Sequence, residues 1–140
     1  MADDGKNDEK LQEKYMEFKL LQHQIEKVRE QIQAFETQVE ELGNVGESLG
    51  QLENIQQGTE ILVPVSGGIF ITAEIKDTKN VTVNVGAGTV VQKSFQEAKQ
   101  LMDSQAQEVI RYREDLMGQL TKLISHARKL QTELRELVGE

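Results

Sequence analysis

The 140-residue chain contains no cysteine, no tryptophan and a single proline. Without cysteine it can form neither disulfides nor thiolate metal sites, and this absence favours an intracellular protein. Aromatic residues make up 4% of the sequence and hydrophobic residues 37%, which is little for the core of a globular enzyme. These proportions suit an elongated molecule that buries a narrow seam between long, solvated helices.

Long hydrophobic runs are also absent. The longest apolar run, Ile61–Val65, contains Pro64 and is far shorter than the roughly 20 residues that span a bilayer. Residues 1–5 are acidic and form no apolar stretch, so we expect no secretory signal peptide and a cytoplasmic location. The net charge of −8 repels nucleic acid and anionic membranes, so neither is an expected partner.

Two segments with heptad patterns bracket the middle of the chain. Apolar residues recur at steps of three and four from Leu11 to Leu42, and at every seventh position from Phe95 to Leu137. The first pattern predicts a helix over 10–57 with a break near 43–46, where glycines interrupt it, after a frayed stretch over 1–9. The second predicts a helix over 95–138 that starts at the capping box of Ser94 and Glu97.

Sustained heptad stripes predict a coiled coil. Because the two stripes lie in one short chain, with strands between them that can reverse its direction, we expect an intramolecular, antiparallel pair. The layers then place Ile25 near Leu123 and Phe18 near Leu130.

Between the helices the apolar period changes to two. Alternating valines and isoleucines over 59–93, with turns at 66–68 and 86–88, predict two β-hairpins, so the fold class is α+β and mostly α. A lone two-stranded hairpin is marginal in water, so these hairpins need strands of other chains, and we expect an obligate oligomer with a shared sheet or barrel. The predicted oligomer interface consists of Ile61, Val63, Val65, Ile69, Ile71, Ile75, Val81, Val83, Val85 and Val91.

No pattern of a catalytic, cofactor or metal site is recognisable. The two histidines, His23 and His126, belong to no metal-binding motif, and a pair of them is an improbable metal site. Gly86-Ala87-Gly88 has no third glycine and precedes a strand, so it predicts a hairpin turn and not a dinucleotide loop. We therefore expect a protein that is not an enzyme and that needs no cofactor.

Apolar residues also gather where both chain ends meet in an antiparallel pair. They are either part of the seam or exposed to a partner or client, and the sequence leaves both readings open. Methionine suits promiscuous contacts because its side chain is flexible and polarizable. The predicted client-binding tip consists of Leu11, Tyr15, Met16, Phe18, Leu130, Leu134, Leu137 and Val138.

The order helix, two hairpins, helix resembles the α-class subunit of prefoldin, in its archaeal type. The resemblance is carried by the segments 58–65, 67–71 and 81–88, and the second hairpin, Val81–Lys93, separates this class from the single-hairpin β class. It implies a hexamer of two α and four β subunits, whose hairpins form two β-barrels that carry six coiled coils. It also implies an ATP-independent holdase, which captures non-native proteins at the coiled-coil tips and passes them to a group II chaperonin.

Two other functions stay open at this point. A structural coiled-coil adaptor would bind one defined partner at its tip, and a γ-type prefoldin would polymerise into filaments. Suppression of the aggregation of several unrelated proteins would distinguish the holdase from the adaptor.

Overall fold

The computed structural model describes residues 2–139. Two long helices enclose two small antiparallel hairpins along the chain, which confirms the predicted α+β, mostly α class. In chain order the elements are α1 (Ala2–Leu52), β1 (Glu60–Ser66), β2 (Ile69–Glu74), β3 (Asn80–Gly86), β4 (Thr89–Ser94) and α2 (Phe95–Val138).

Helix α1 has no break, and the predicted interruption near 43–46 is wrong. A glycine inside a helix costs about 1 kcal/mol relative to alanine, but Leu42 and Leu49 keep the helical spacing on both sides and are half-buried. The helix also includes the predicted frayed stretch from Ala2 onward. The prediction for Met1 lies outside the described residues.

The start of α2 confirms the predicted capping box. The Glu97 backbone N–H donates to Ser94 Oγ over 3.1 Å, and the Ser94 backbone N–H donates to Glu97 Oε1 over 3.4 Å. The helix ends where Gly139, at φ +83°, leaves the helical conformation.

The two hairpins share one register. In the first, Glu60 pairs with Glu74 and Ser66 with Ile69; in the second, Asn80 pairs with Ser94 and Gly86 with Thr89. Each residue of the second hairpin therefore lies 20 positions after its equivalent in the first (60 to 80, 74 to 94). Both ladders also shift register at the equivalent place, between 64 and 66 and between 84 and 86, so the hairpins are an internal repeat.

The chain divides into two compact units. The strand unit, Gln38–Glu108, contains both hairpins with the adjoining helix ends, where Lys99 and Glu53 form an ion pair. The helical unit comprises the chain up to Thr37 and from Val109 onward.

In the helical unit α1 and α2 run antiparallel. Lys14 forms an ion pair with Glu133. The ring of Phe35 stacks on that of Tyr112, with 6.2 Å between the ring centroids. The core is consistent with the predicted layers, because Ile25 and Leu130 are buried in one cluster against which Phe18 and Leu123 pack. The buried members of this cluster are Leu21, Ile25, Ala127 and Leu130.

Candidate functional site

Within the paired part of each hairpin, the predicted interface residues share one face. Val63 is opposite Ile71 in the first hairpin and Val83 is opposite Val91 in the second, and side chains of directly paired residues project from the same face. The half-buried residues of the predicted interface are Ile61, Val63, Ile75, Val81, Val83 and Val91. Its exposed residues are Val65, Ile69, Ile71 and Val85.

The first hairpin is apolar on its other face as well, which sequence reasoning missed. Leu62 is 67% exposed and Phe70 55% exposed, and the cross-strand partner of Phe70 is Pro64. The alternation of valine and isoleucine along the strands predicts only one apolar face for each hairpin. The unbroken apolar letters of Ile61–Val65 and Ile69–Ile71 are the signal that the middle of the hairpin is apolar on both faces.

Among residues 2–139, no further strand lies beside either hairpin. Each forms a sheet of its own with two strands, so every strand has one edge whose backbone groups pair with no other described strand. An apolar sheet with open edges is a template for strands of another chain. This arrangement fits the predicted strand-mediated interface.

At the tip the structure separates exposed residues from seam residues. Met16 is 71% exposed, Tyr15 is 52% exposed, and Val138 is exposed too. Leu11, Leu134 and Leu137 are half-buried, and Phe18 packs against the core cluster. The sequence missed Leu20, which is exposed beside them.

Leu130 corrects the predicted tip. It is 4% exposed and lies in the core cluster between the helices, so a direct client contact is inconsistent with its position. Its place in the heptad stripe is the reason, because a residue of the seam faces the opposite helix.

Two contacts between polar side chains connect the helices beside the tip. Lys14 Nζ lies 2.6 Å from Glu133 Oε2, and the hydrogen bond it donates lowers the pKa of the Glu133 carboxyl. One helical turn away, His126 Nε2 lies 3.4 Å from Glu17 Oε1. Both contacts lie at the end of the helical unit where the tip residues lie.

The described residues contain no cluster of three or more His, Cys, Asp and Glu side chains that could hold a metal ion. His126 lies against Glu17, and His23 is exposed. Over the same part of the chain, neither helix combines the length and the apolar character that a membrane span requires.

The chain matches the family model for prefoldin subunits over residues 21–140. A prefoldin subunit alpha of Thermofilum pendens is 29% identical over 119 residues, which cover 85% of this chain and 92% of that protein. Prefoldin subunit alpha 1 of Thermococcus kodakarensis is 35% identical over 108 residues, covering 77% of this chain and 72% of that one.

The fold is similar to that in a cryo-EM structure of filamentous PFD from Methanocaldococcus jannaschii. The TM-score is 0.74 at 21% identity, with 82% of this chain and 95% of the other covered. Prefoldins are non-enzymatic chaperone-type proteins that assemble with other prefoldin subunits. With its two hairpins between paired helices, the chain belongs to the prefoldin family, as an archaeal-type α-class subunit.

Proposed function

We propose that this chain is the α subunit of a cytoplasmic, ATP-independent holdase, built from two α and four β prefoldin subunits. The assembly captures non-native proteins at the coiled-coil tips and passes them to a group II chaperonin. The observation that carries the proposal is the distribution of exposed large apolar side chains, which are frequent on the hairpins and again at the tip.

The hairpins support the assembly part of the proposal. Exposed Ile69, Ile71 and Val85 and the open strand edges need covering, and strands of β subunits would supply both apolar contacts and backbone partners. One family model spans residues of both units, which supports treating the chain as one prefoldin-like domain.

The tip supports the capture part. Met16, Tyr15 and Val138 offer apolar surface without a shaped pocket for one ligand, which suits scattered apolar segments of different unfolded proteins. Each contact is weak, but several tips acting on one client raise the avidity through effective concentration. Transfer to a competing chaperonin then needs no nucleotide hydrolysis.

A filament-forming prefoldin is the second candidate. The similarity to the filamentous PFD structure favours it, since that protein shares this fold. Electron microscopy of the chain expressed alone distinguishes the two candidates, because a filament former polymerises without a β subunit.

The capture step is tested with the chain co-assembled with a single-hairpin β subunit. We expect it to suppress the aggregation of two unrelated, chemically unfolded proteins. The double variant Tyr15→Ser/Met16→Ser should suppress aggregation several-fold less well, with unchanged assembly mass. The matched control is Gln12→Ser/Glu13→Ser, which alters exposed polar residues of the same turns.

Protection of only one of the two proteins would point to an adaptor with a defined partner. Equal suppression by the Tyr15/Met16 variant and the wild type would place client capture elsewhere.

A further inference from the structure

A groove runs between α1 and α2 along one side of the helical unit. Its middle section has a volume of about 520 Å³. Half-buried Val28 and Leu123 form an apolar floor, with Lys27 on one rim and Lys122 on the other. The full lining of this section is Gln24, Lys27, Val28, Gln119, Lys122, Leu123 and His126.

The groove continues in both directions. Through Gln119 it joins a section lined by Phe35 and Tyr112, and through His126 it joins a section beside Lys14 and Glu133. Helix α2 advances about 1.5 Å per residue, so the stretch from 112 to 133 is roughly 30 Å long. An extended peptide of about nine residues has the same length.

The middle of the groove is basic in an acidic chain. The lining of its middle section includes Lys27 and Lys122 and no Asp or Glu, although the net charge of the chain is −8. The cross-helix contacts near the groove are the ion pair of Lys14 with Glu133 and the approach of His126 Nε2 to Glu17 Oε1. Among the described residues, neither Lys27 nor Lys122 takes part in an ion pair with a carboxylate.

We propose that this groove binds an acidic peptide segment that carries apolar side chains. Its carboxylates meet Lys27 and Lys122 on the two rims, and its apolar side chains cover Val28 and Leu123. A nucleic-acid backbone offers phosphates to the rims but nothing that covers an apolar floor, so a peptide is the better fit. The middle section of the groove contains no residue of the predicted tip or of the hairpins, and the proposal does not depend on the holdase function.

The test measures binding of a short fluorescein-labelled peptide of repeated Glu-Leu-Glu-Ser to the full chain by fluorescence anisotropy. The double variant Lys27→Gln/Lys122→Gln should raise the Kd about tenfold, since it removes two partly screened charge contacts. The matched control is Arg29→Gln/Arg128→Gln, which removes the same charge from the groove on the opposite side and should change the Kd less than about twofold.

Three outcomes would overturn the proposal. An equal loss with the arginine variant would show attraction by overall charge and not by this groove. Equal affinity for a Lys-Leu-Lys-Ser peptide would remove the requirement for acid groups. Tighter binding of an oligothymidylate than of the acidic peptide would identify the site as one for nucleic acid.

Discussion

Ser94 shows how much one side chain determines at the boundary between strand and helix. It is the last residue of β4, and its hydroxyl accepts the N–H of Glu97 in the first turn of α2. Hydrogen bonds from the hydroxyl and backbone N–H of Ser94 lower the pKa of the Glu97 carboxyl below its ordinary value of 4.5. The ionised carboxylate therefore stabilises the folded chain.

Replacing Ser94 should reveal how much the ionised Glu97 carboxylate contributes to the stability of the folded chain. We expect Ser94→Ala to lower the free energy of unfolding by about 1 kcal/mol at neutral pH, because it removes an N-cap. A carboxyl whose folded pKa is lowered stabilises above its unfolded pKa, and this stability is lost as pH falls through the folded value. In urea denaturation, the free energy of unfolding should therefore decrease less between pH 7 and pH 3 for Ser94→Ala than for the wild type.

The control for this change is Ser104→Ala, an exposed serine inside α2. It should leave the pH profile unchanged, because its hydroxyl caps no helix. If the free energy of unfolding decreased equally at acidic pH for Ser94→Ala and the wild type, the assigned role of the Glu97 carboxylate would be contradicted.

At the scale of elements, local rules predicted the hairpins well and the continuity of α1 poorly. The apolar period of two and the glycines between the runs predict strands and turns from a few neighbouring residues. In the structure, Gly67 and Gly68 of the first turn have positive φ. Gly43 and Gly46 carry a local helix-breaking signal that the rest of the helix overrides. A propensity cost of about 1 kcal/mol is small against the cooperative continuation of a long helix.

The continuous helix leads to a prediction about these glycines. A Cβ built at Gly43 or Gly46 meets no atom within 4 Å. Each change to alanine should therefore raise the free energy of unfolding by about 1 kcal/mol, as measured by chemical denaturation. The contrasting control is Gly68→Ala, at φ +82°, which should lower it by roughly 1–2 kcal/mol. No gain at Gly43 would mean that α1 is interrupted there.

The tip could be predicted only in part. Heptad spacing placed Leu130 in a stripe, but a stripe alone does not say which of its members open to solvent at a helix end. Burial depends on the opposite helix: Leu130 of α2 is buried in one cluster with Leu21 and Ile25 of α1, whereas Met16 of α1 is 71% exposed. Contacts between distant segments of the chain are the information that single-helix periodicity lacks.

At the scale of the whole molecule, assembly through the hairpins is the property to test. Val83→Asp places a charge on the proposed interface face of β3, where burial without a partner is costly. We expect this variant to lose its oligomers in native mass spectrometry while its helical circular dichroism is retained. Thr82→Asp is the matched control on the opposite face of the same strand, and its assembly mass should stay that of the wild type. Full assembly of Val83→Asp would place the interface elsewhere.

The twenty-residue repeat has a consequence for the order of such an assembly. Because both hairpins have the same register and the same irregularity, their backbones are interchangeable, and a partner strand that recognised backbone alone would accept either one. The two hairpins differ in their side chains at equivalent positions: Leu62 corresponds to Thr82, and Phe70 corresponds to Val90. In the proposed assembly, these side-chain differences would let a partner strand bind one hairpin in preference to the other, and so would fix the order of the chains.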